Sequence, residues 1–192
     1  LGDTVLQTRY FQVEHYVKPA YKITLAKDKE AIFWNEAINF TTNTQFFEGT
    51  PVSNLDFHYA VYGQSGKDGS GQTDAVGKAQ FTYQPVQSKS EGTIAYCEVS
   101  VSATLPESGE ISGRERFRVF LKDAVLSAEA NKEGNQGTLS GVMHSITLER
   151  LNNGTAKGSS DYLDQPLAGH KLTVRIYRNK WYKIEVGQHY DY

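Results

Sequence analysis

The sequence predicts an all-β protein: an antiparallel meander closed into a barrel of about eight strands, with one or two short helices. Three observations carry this expectation. Tyr and Phe dominate the aromatic residues, with 12 and 9 copies, and such side chains suit pleated, half-buried surfaces. Apolar and polar residues alternate with a period of two over many short stretches. Breaks rich in glycine separate those stretches at close intervals.

The elements follow in order. Residues 4 to 25 read as one or two strands: Phe11 and Val13 share a face, Tyr10 and Tyr16 take the other, Pro19 interrupts, and Tyr21, Ile23 and Leu25 resume the alternation. Ala31, Trp34 and Ile38 have helical spacing with Asp28 as a possible cap, so a short helix is expected over 26 to 38, with a strand as the alternative. Residues 39 to 48, with Phe40, Thr41, Thr42, Phe46 and Phe47, suit an extended segment. Asp56 to Tyr62 alternates well, with Phe57, Tyr59 and Val61 on one face. Gly63 to Gln72 reads as a flexible Gly/Ser loop inside the domain.

Three strands are then expected in a row, Val76 to Val86, Gly92 to Leu105 and Gly109 to Leu121, joined by hairpin-length loops. Asp123 to Lys132 is either a short helix or a strand, and Gly134-Asn135-Gln136-Gly137 is a turn. Thr138 to Leu151 is a strand. His170 to Arg178 is another, pairing with Trp181 to Val186 across Asn179-Lys180.

Length and composition bound the rest. The 192 residues suit one domain, 1–192, with the N-terminal segment 1–18 and the tail 187–192 extending from it. The net charge is −2 and no polybasic run occurs, which argues against nucleic-acid binding. No apolar stretch reaches the length of a membrane helix, so no membrane insertion is expected and the protein is read as soluble. The single cysteine, Cys97, excludes an internal disulfide and a Cys-rich zinc site. It favours the cytoplasm over export. The chain opens Leu1-Gly2-Asp3-Thr4 without Met, which a removed signal peptide and a shortened chain explain equally well.

Several pieces between 76 and 151 share one pattern. They are Val76-Gly77, Phe81-Thr82-Tyr83, Gly92-Thr93-Ile94-Ala95-Tyr96-Cys97-Glu98, the run Leu105 to Gly113, and Gly134-Asn135-Gln136-Gly137-Thr138-Leu139-Ser140-Gly141. With these, Val76 to Leu151 resembles the allene oxide cyclase-like and dirigent-like barrel superfamily, which includes small bacterial barrel cyclases. The resemblance covers about two fifths of the chain. The family's Gly-Gly-Ser/Thr-Gly turn is reduced here to Gly134-Asn135-Gln136-Gly137, and the first 75 residues show no match. The resemblance implies a cofactor-independent cyclase or isomerase. It would hold an apolar small molecule in its lumen and fold it for ring closure.

Under that reading Glu98 and Tyr96 are the catalytic candidates. A carboxylate among aromatic rings can serve as general acid or base. Tyr59, Phe81, Tyr83 and Trp34 would line the ligand site. The residues themselves leave another arrangement open: Ala95, Cys97, Val99 and Val101 form a small apolar face suited to a core, which would turn Tyr96 and Glu98 to water. Arg114, Glu115, Arg116 and Arg118 read as a solvated strand face with cross-strand ion pairs. Asp56 and His58 share a strand face and could reach a metal together, but no metal or cofactor is expected. Cys97 reads as a buried, inert thiol.

Two other functions are expected as alternatives. One is a non-catalytic module binding a small molecule or carbohydrate, in a cavity or on an aromatic platform of Trp34, Trp181 and Tyr182. The other is a self-assembling subunit that adds strands to a neighbour's sheet edge. The Tyr-rich faces favour a homo-oligomer in either case.

Overall fold

A computed structural model describes residues 20–63, 65–86, 92–105, 109–134, 136–175 and 177. The strands expected within 4 to 18 and at Trp181 to Val186, the turn at Asn179-Lys180 and the tail 187–192 lie outside the described residues. So does the platform of Trp181 and Tyr182.

The protein is all-β, as expected. Its strands are β1 (Tyr21–Lys27), β2 (Ala31–Phe33), β3 (Ile38–Phe46), β4 (Asp56–Tyr62), β5 (Lys67–Gln72), β6 (Lys78–Tyr83), β7 (Ile94–Leu105), β8 (Gly109–Phe120), β9 (Ala124–Glu133), β10 (Gln136–Ile146) and β11 (Leu163–Pro166), with one helical turn, α1 (Glu149–Asn152). Among the described residues these strands form three separate sheets, ordered β1-β3-β6, β5-β4-β7-β8-β2 and β11-β10-β9. The first two face each other as a curled sandwich. The expected closed ladder of eight strands is therefore replaced by layered sheets.

Alternation builds the sandwich. Tyr21, Ile23 and Leu25 of β1, Phe57 and Val61 of β4, Cys97, Val99 and Val101 of β7, and Phe117 and Val119 of β8 are all buried in one core. Each fully buried side chain of this size contributes about 1.5–3 kcal/mol. Tyr21 also ties the two layers by hydrogen bonds. Its hydroxyl accepts from the Leu105 amide at 2.8 Å and donates to the Gly109 carbonyl at 3.0 Å. Burial, opposed by the Leu105 hydrogen bond, holds its pKa above the ordinary tyrosine value. Lys27 stitches β1 to β8, reaching Glu30 at 2.9 Å and Glu115 at 3.0 Å. Burial works against its charge, but the two carboxylates outweigh it and its pKa lies above the usual lysine value.

Four local expectations are corrected. The segment 26–38 forms no helix: Ala31, Ile32 and Phe33 pair in parallel with Arg118, Val119 and Phe120. Helical spacing of three apolar residues could not reveal a partner strand so distant in sequence. The Gly/Ser loop contains a true strand, β5, paired with β4. Its glycines face aromatic rings: Gly71 opposes Phe57 and Gly69 opposes Tyr59. A Cβ at Gly69 would lie 2.5 Å from the Tyr59 hydroxyl, so the missing side chain makes room for the ring. The expected meander is broken, because β6 crosses to the other layer and pairs with β3 rather than β7. The crossing turns at Gly77, whose φ is +74° and whose Cβ position is filled by the Thr44 carbonyl, a place for glycine alone. Finally, the described part of His170 to Arg178, residues 170–175 and 177, forms no strand; Asp123 to Lys132, left open between helix and strand, forms the strand β9.

A second, smaller core joins Ala31, Phe120, Ile146, Leu148 and Leu151. Here α1 and the base of β10 cover one end of the five-stranded sheet's outer face. The Asn152 side chain fastens the cover, accepting from the Glu30 and Ala31 amides and donating to the Ala31 carbonyl at 2.8–2.9 Å. Beyond that base, β9 and β10 extend as an arm exposed on both sides.

Candidate functional site

The structure divides the expected site residues between the two faces of one sheet. On β7, Cys97, Val99 and Val101 turn inward, so Tyr96 and Glu98 turn outward. Tyr96 is 77% exposed. Glu98 sits opposite Arg116 in the β7–β8 ladder. The guanidinium Nε of Arg116 donates to Glu98 at 2.9 Å, and Arg114 lies 3.7 Å from the same carboxylate. Tyr59, Phe81 and Tyr83 lie on the inner side. Tyr59 and Phe81 stack with centroids 4.1 Å apart and planes 11° apart. They border an open cleft of about 620 Å3 whose other walls include Thr41, Ser70, Gln72, Lys78 and Gln80.

Tyr83 is buried, packs edge-on against Phe117, and donates its hydroxyl to the Ser65 carbonyl at 2.8 Å. Burial raises its pKa, offset in part by Ser65. Trp34 is half-buried at another place, where it borders a cleft with Phe33, Glu36 and Leu121. The fold thus brings together Tyr59 and Phe81, and separately Tyr96 with Glu98. It does not gather the six residues around one lumen.

Asp56 and His58 are exposed on the outer face of β4, where the Asp56 carboxylate accepts from Gln72 at 2.9 Å. Among the described residues no group of three or more His, Cys, Asp or Glu side chains could hold a metal ion. Cys97 is buried in the main core. No helix of the described residues is long and apolar enough to cross a membrane.

Two surfaces stand out that residue-by-residue reading passed over. The first is the arm. Leu126 opposes Met143, Ala128 opposes Gly141, and Ala130 opposes Leu139. Directly opposed residues project to the same side of a sheet, so these six form one apolar face. The other face carries Glu129, Asn131 and Glu133 opposite Ser140, Thr138 and Gln136, with Val125 and Val142 as its apolar exceptions. After β11 the chain follows the free edge of β10, the Leu167 amide donating to the Met143 carbonyl at 2.7 Å. Leu172 and Val174 then join Leu126, Ala128 and Leu139 around a shallow cleft of about 270 Å3. Leu126, Leu139, Leu172 and Val174 are each 47–57% exposed. The signal was in the sequence, in the alternation of Ala124, Leu126, Ala128 and Ala130, but alternation does not say whether a layer covers it.

The second surface is the outer face of β4, β7 and β8. Tyr62, Gly63, Tyr96, Glu98, Arg116 and Arg118 border an open cleft of about 410 Å3 there.

No protein-family model matches this chain. Over 52 residues, 27% of the chain, it is 36% identical to an alpha-2-macroglobulin of Thermotoga maritima, of which the match covers 3%. Among solved structures, 76% of the chain superposes on 12% of the native conformation of Escherichia coli alpha-2-macroglobulin, with a TM-score of 0.53 and 10% identity. A Salmonella alpha-2-macroglobulin reacted with methylamine gives a TM-score of 0.51 at 11% identity, over the same shares of the two chains. At such identity the likeness concerns the fold, and this chain spans only a small part of each of these much longer proteins.

Proposed function

We propose that this chain is a non-catalytic β-sandwich module that docks, through the apolar face of its arm, against a neighbouring β-layer within a larger macroglobulin-like protein. The observation that carries the reading is the apolar row formed by Leu126, Ala128, Ala130 and Leu139 with Leu172 and Val174, which no layer of the described residues covers. Sheets with one apolar face are stable when a second layer covers it, and exposed patches of this kind mark interaction surfaces. The similarity to macroglobulins, in sequence over a short stretch and in fold over most of the chain, supports a neighbour on the same polypeptide as the covering layer.

The ring-closing barrel suggested by the cyclase resemblance remains the alternative. It asks for Tyr96 and Glu98 to share an enclosed space with Tyr59 and Phe81, and no observation among the described residues favours that arrangement.

Thiol accessibility tests the docking reading. A Leu139→Cys variant is labelled both in the 192-residue chain and in the full polypeptide as its gene encodes it. Docking predicts rapid labelling in the former and strong protection in the latter. Equal labelling in both would remove the arm's face as a docking surface.

A further inference from the structure

We propose that the outer face of β7 and β8 holds a binding site for an acidic, extended peptide segment, independent of the apolar face of the arm. The argument begins with spacing. Arg114, Arg116 and Arg118 all project outward from β8, opposite Ser100, Glu98 and Tyr96 of β7. Alternate residues of a strand are about 6.6–6.8 Å apart, and the alternate side chains of any extended peptide repeat at the same distance.

Glu98 shows how a carboxylate uses this row. It accepts from Arg116 at 2.9 Å and lies 3.7 Å from Arg114, so one carboxylate spans two successive arginines. The next interval, between Arg116 and Arg118, has no such bridge. Arg118 is half-buried and pairs with no carboxylate among the described residues. The cleft of about 410 Å3 opens at that interval. Tyr96, the ladder partner of Arg118, and Tyr62, the ladder partner of Glu98, flank it. They are 77% and 58% exposed.

A second carboxylate placed there would repeat the contact that Glu98 makes, at a partly desolvated guanidinium where charge-assisted hydrogen bonds are stronger than in open water. The flanking phenols would pack against the incoming backbone. Tyr and Arg together are the side chains that most often concentrate binding energy at protein interfaces. The alternate spacing of the arginines is what favours a peptide over an acidic polysaccharide, since it fits carboxylates carried on every second residue.

Fluorescence polarisation with a labelled peptide alternating Glu and Thr tests the site on the 192-residue chain. The peptide should bind saturably, and its Gln-for-Glu counterpart should not. Arg118→Gln should weaken binding by about tenfold, with Arg114→Gln having a smaller effect because Arg114 already faces Glu98. Tyr96→Ala truncates a largely exposed side chain and should also weaken binding, which keeps the test decisive if Arg118→Gln fails to fold. Undiminished binding by Arg118→Gln or Tyr96→Ala, or no binding by the parent chain, would overturn the proposal. Tighter binding of polygalacturonate than of the peptide would overturn it in favour of an acidic glycan.

Discussion

The β7–β8 and β9–β10 hairpins are built alike and end differently. Both are long antiparallel ladders, of 12 and 12 residues against 10 and 11. Both alternate apolar with polar side chains. In β7–β8 the apolar rows of Cys97, Val99 and Val101 and of Phe117 and Val119 meet β1, β3 and β6 across the sandwich and vanish from solvent. Among the described residues, the row of Leu126, Ala128, Ala130 and Leu139 in β9–β10 meets nothing comparable and stays exposed. Alternation makes a two-faced strand, but burial is a property of the layer opposite. A hairpin with no such layer offers its apolar face to a partner.

Truncating the core should break this symmetry most sharply. Phe117 is buried and touches the rings of Phe40 and Tyr83, so Phe117→Ala should cost about 3–5 kcal/mol in urea unfolding. Leu139→Ala in the arm should stay within about 0.5 kcal/mol in the same experiment, as expected for an exposed site. A comparable loss at Leu139 would mean that the arm's apolar face is covered within the chain itself.

Buried hydroxyls sharpen the contrast inside the sandwich. Thr73 Oγ1 accepts from the Leu55 amide at 2.9 Å and donates to the Val52 carbonyl at 2.8 Å. Thr73→Val would orphan both groups and should destabilise by about 1–3 kcal/mol. Thr44 Oγ1 is equally buried but has no hydrogen-bond partner, so Thr44→Val should be neutral or stabilising by up to about 1 kcal/mol. The two variants should thus shift the urea midpoint in different directions, and a loss at Thr44 as large as that at Thr73 would refute the assignment.

Alkali should give the smallest and most selective effect. Tyr21, Tyr83 and Lys27 all have folded-state pKa values above their ordinary ones, and all lie in the sandwich. Raised values contribute stability that is complete below the unfolded pKa, near 10 for both residue types, and lost as pH rises through the folded value. Stability should therefore fall above about pH 10, and Tyr83→Phe should flatten that fall. A profile unchanged by Tyr83→Phe would place the alkaline transition elsewhere.

Much of this molecule can be read from particular residues. The inward faces of β1 and β4 follow directly from Tyr21, Ile23 and Leu25 and from Phe57 and Val61, whereas for β7 the residues left both orientations open. The solvated face of the β8 arginines with cross-strand ion pairs follows from the same alternation, but Glu98 as their partner does not. Other parts were hidden for identifiable reasons. The glycines of β5 argue for a loop by intrinsic preference, and only the rings of Tyr59 and Phe57 lying over Gly69 and Gly71 explain them as strand residues. The partners of β2 and β6 are remote in sequence, so no local pattern could name them. For the candidate surfaces, the arginine spacing and the alternation of the arm were both visible, but the bare interval at Arg118 and the exposure of Leu139 among the described residues were not.

The sequence by itself determined that the chain is β-structured, which side chains of each regular strand share a face, and that Cys97 belongs to a core. Those properties depend on the two-residue repeat of an extended backbone, which is local. The tertiary structure alone decided that the strands form layered sheets, that Tyr96 and Glu98 face away from Tyr59 and Phe81, and that no layer of the described residues covers the arm's apolar row. Those properties depend on which strands meet across the fold, and contacts between distant residues have no signature in the pattern of either partner.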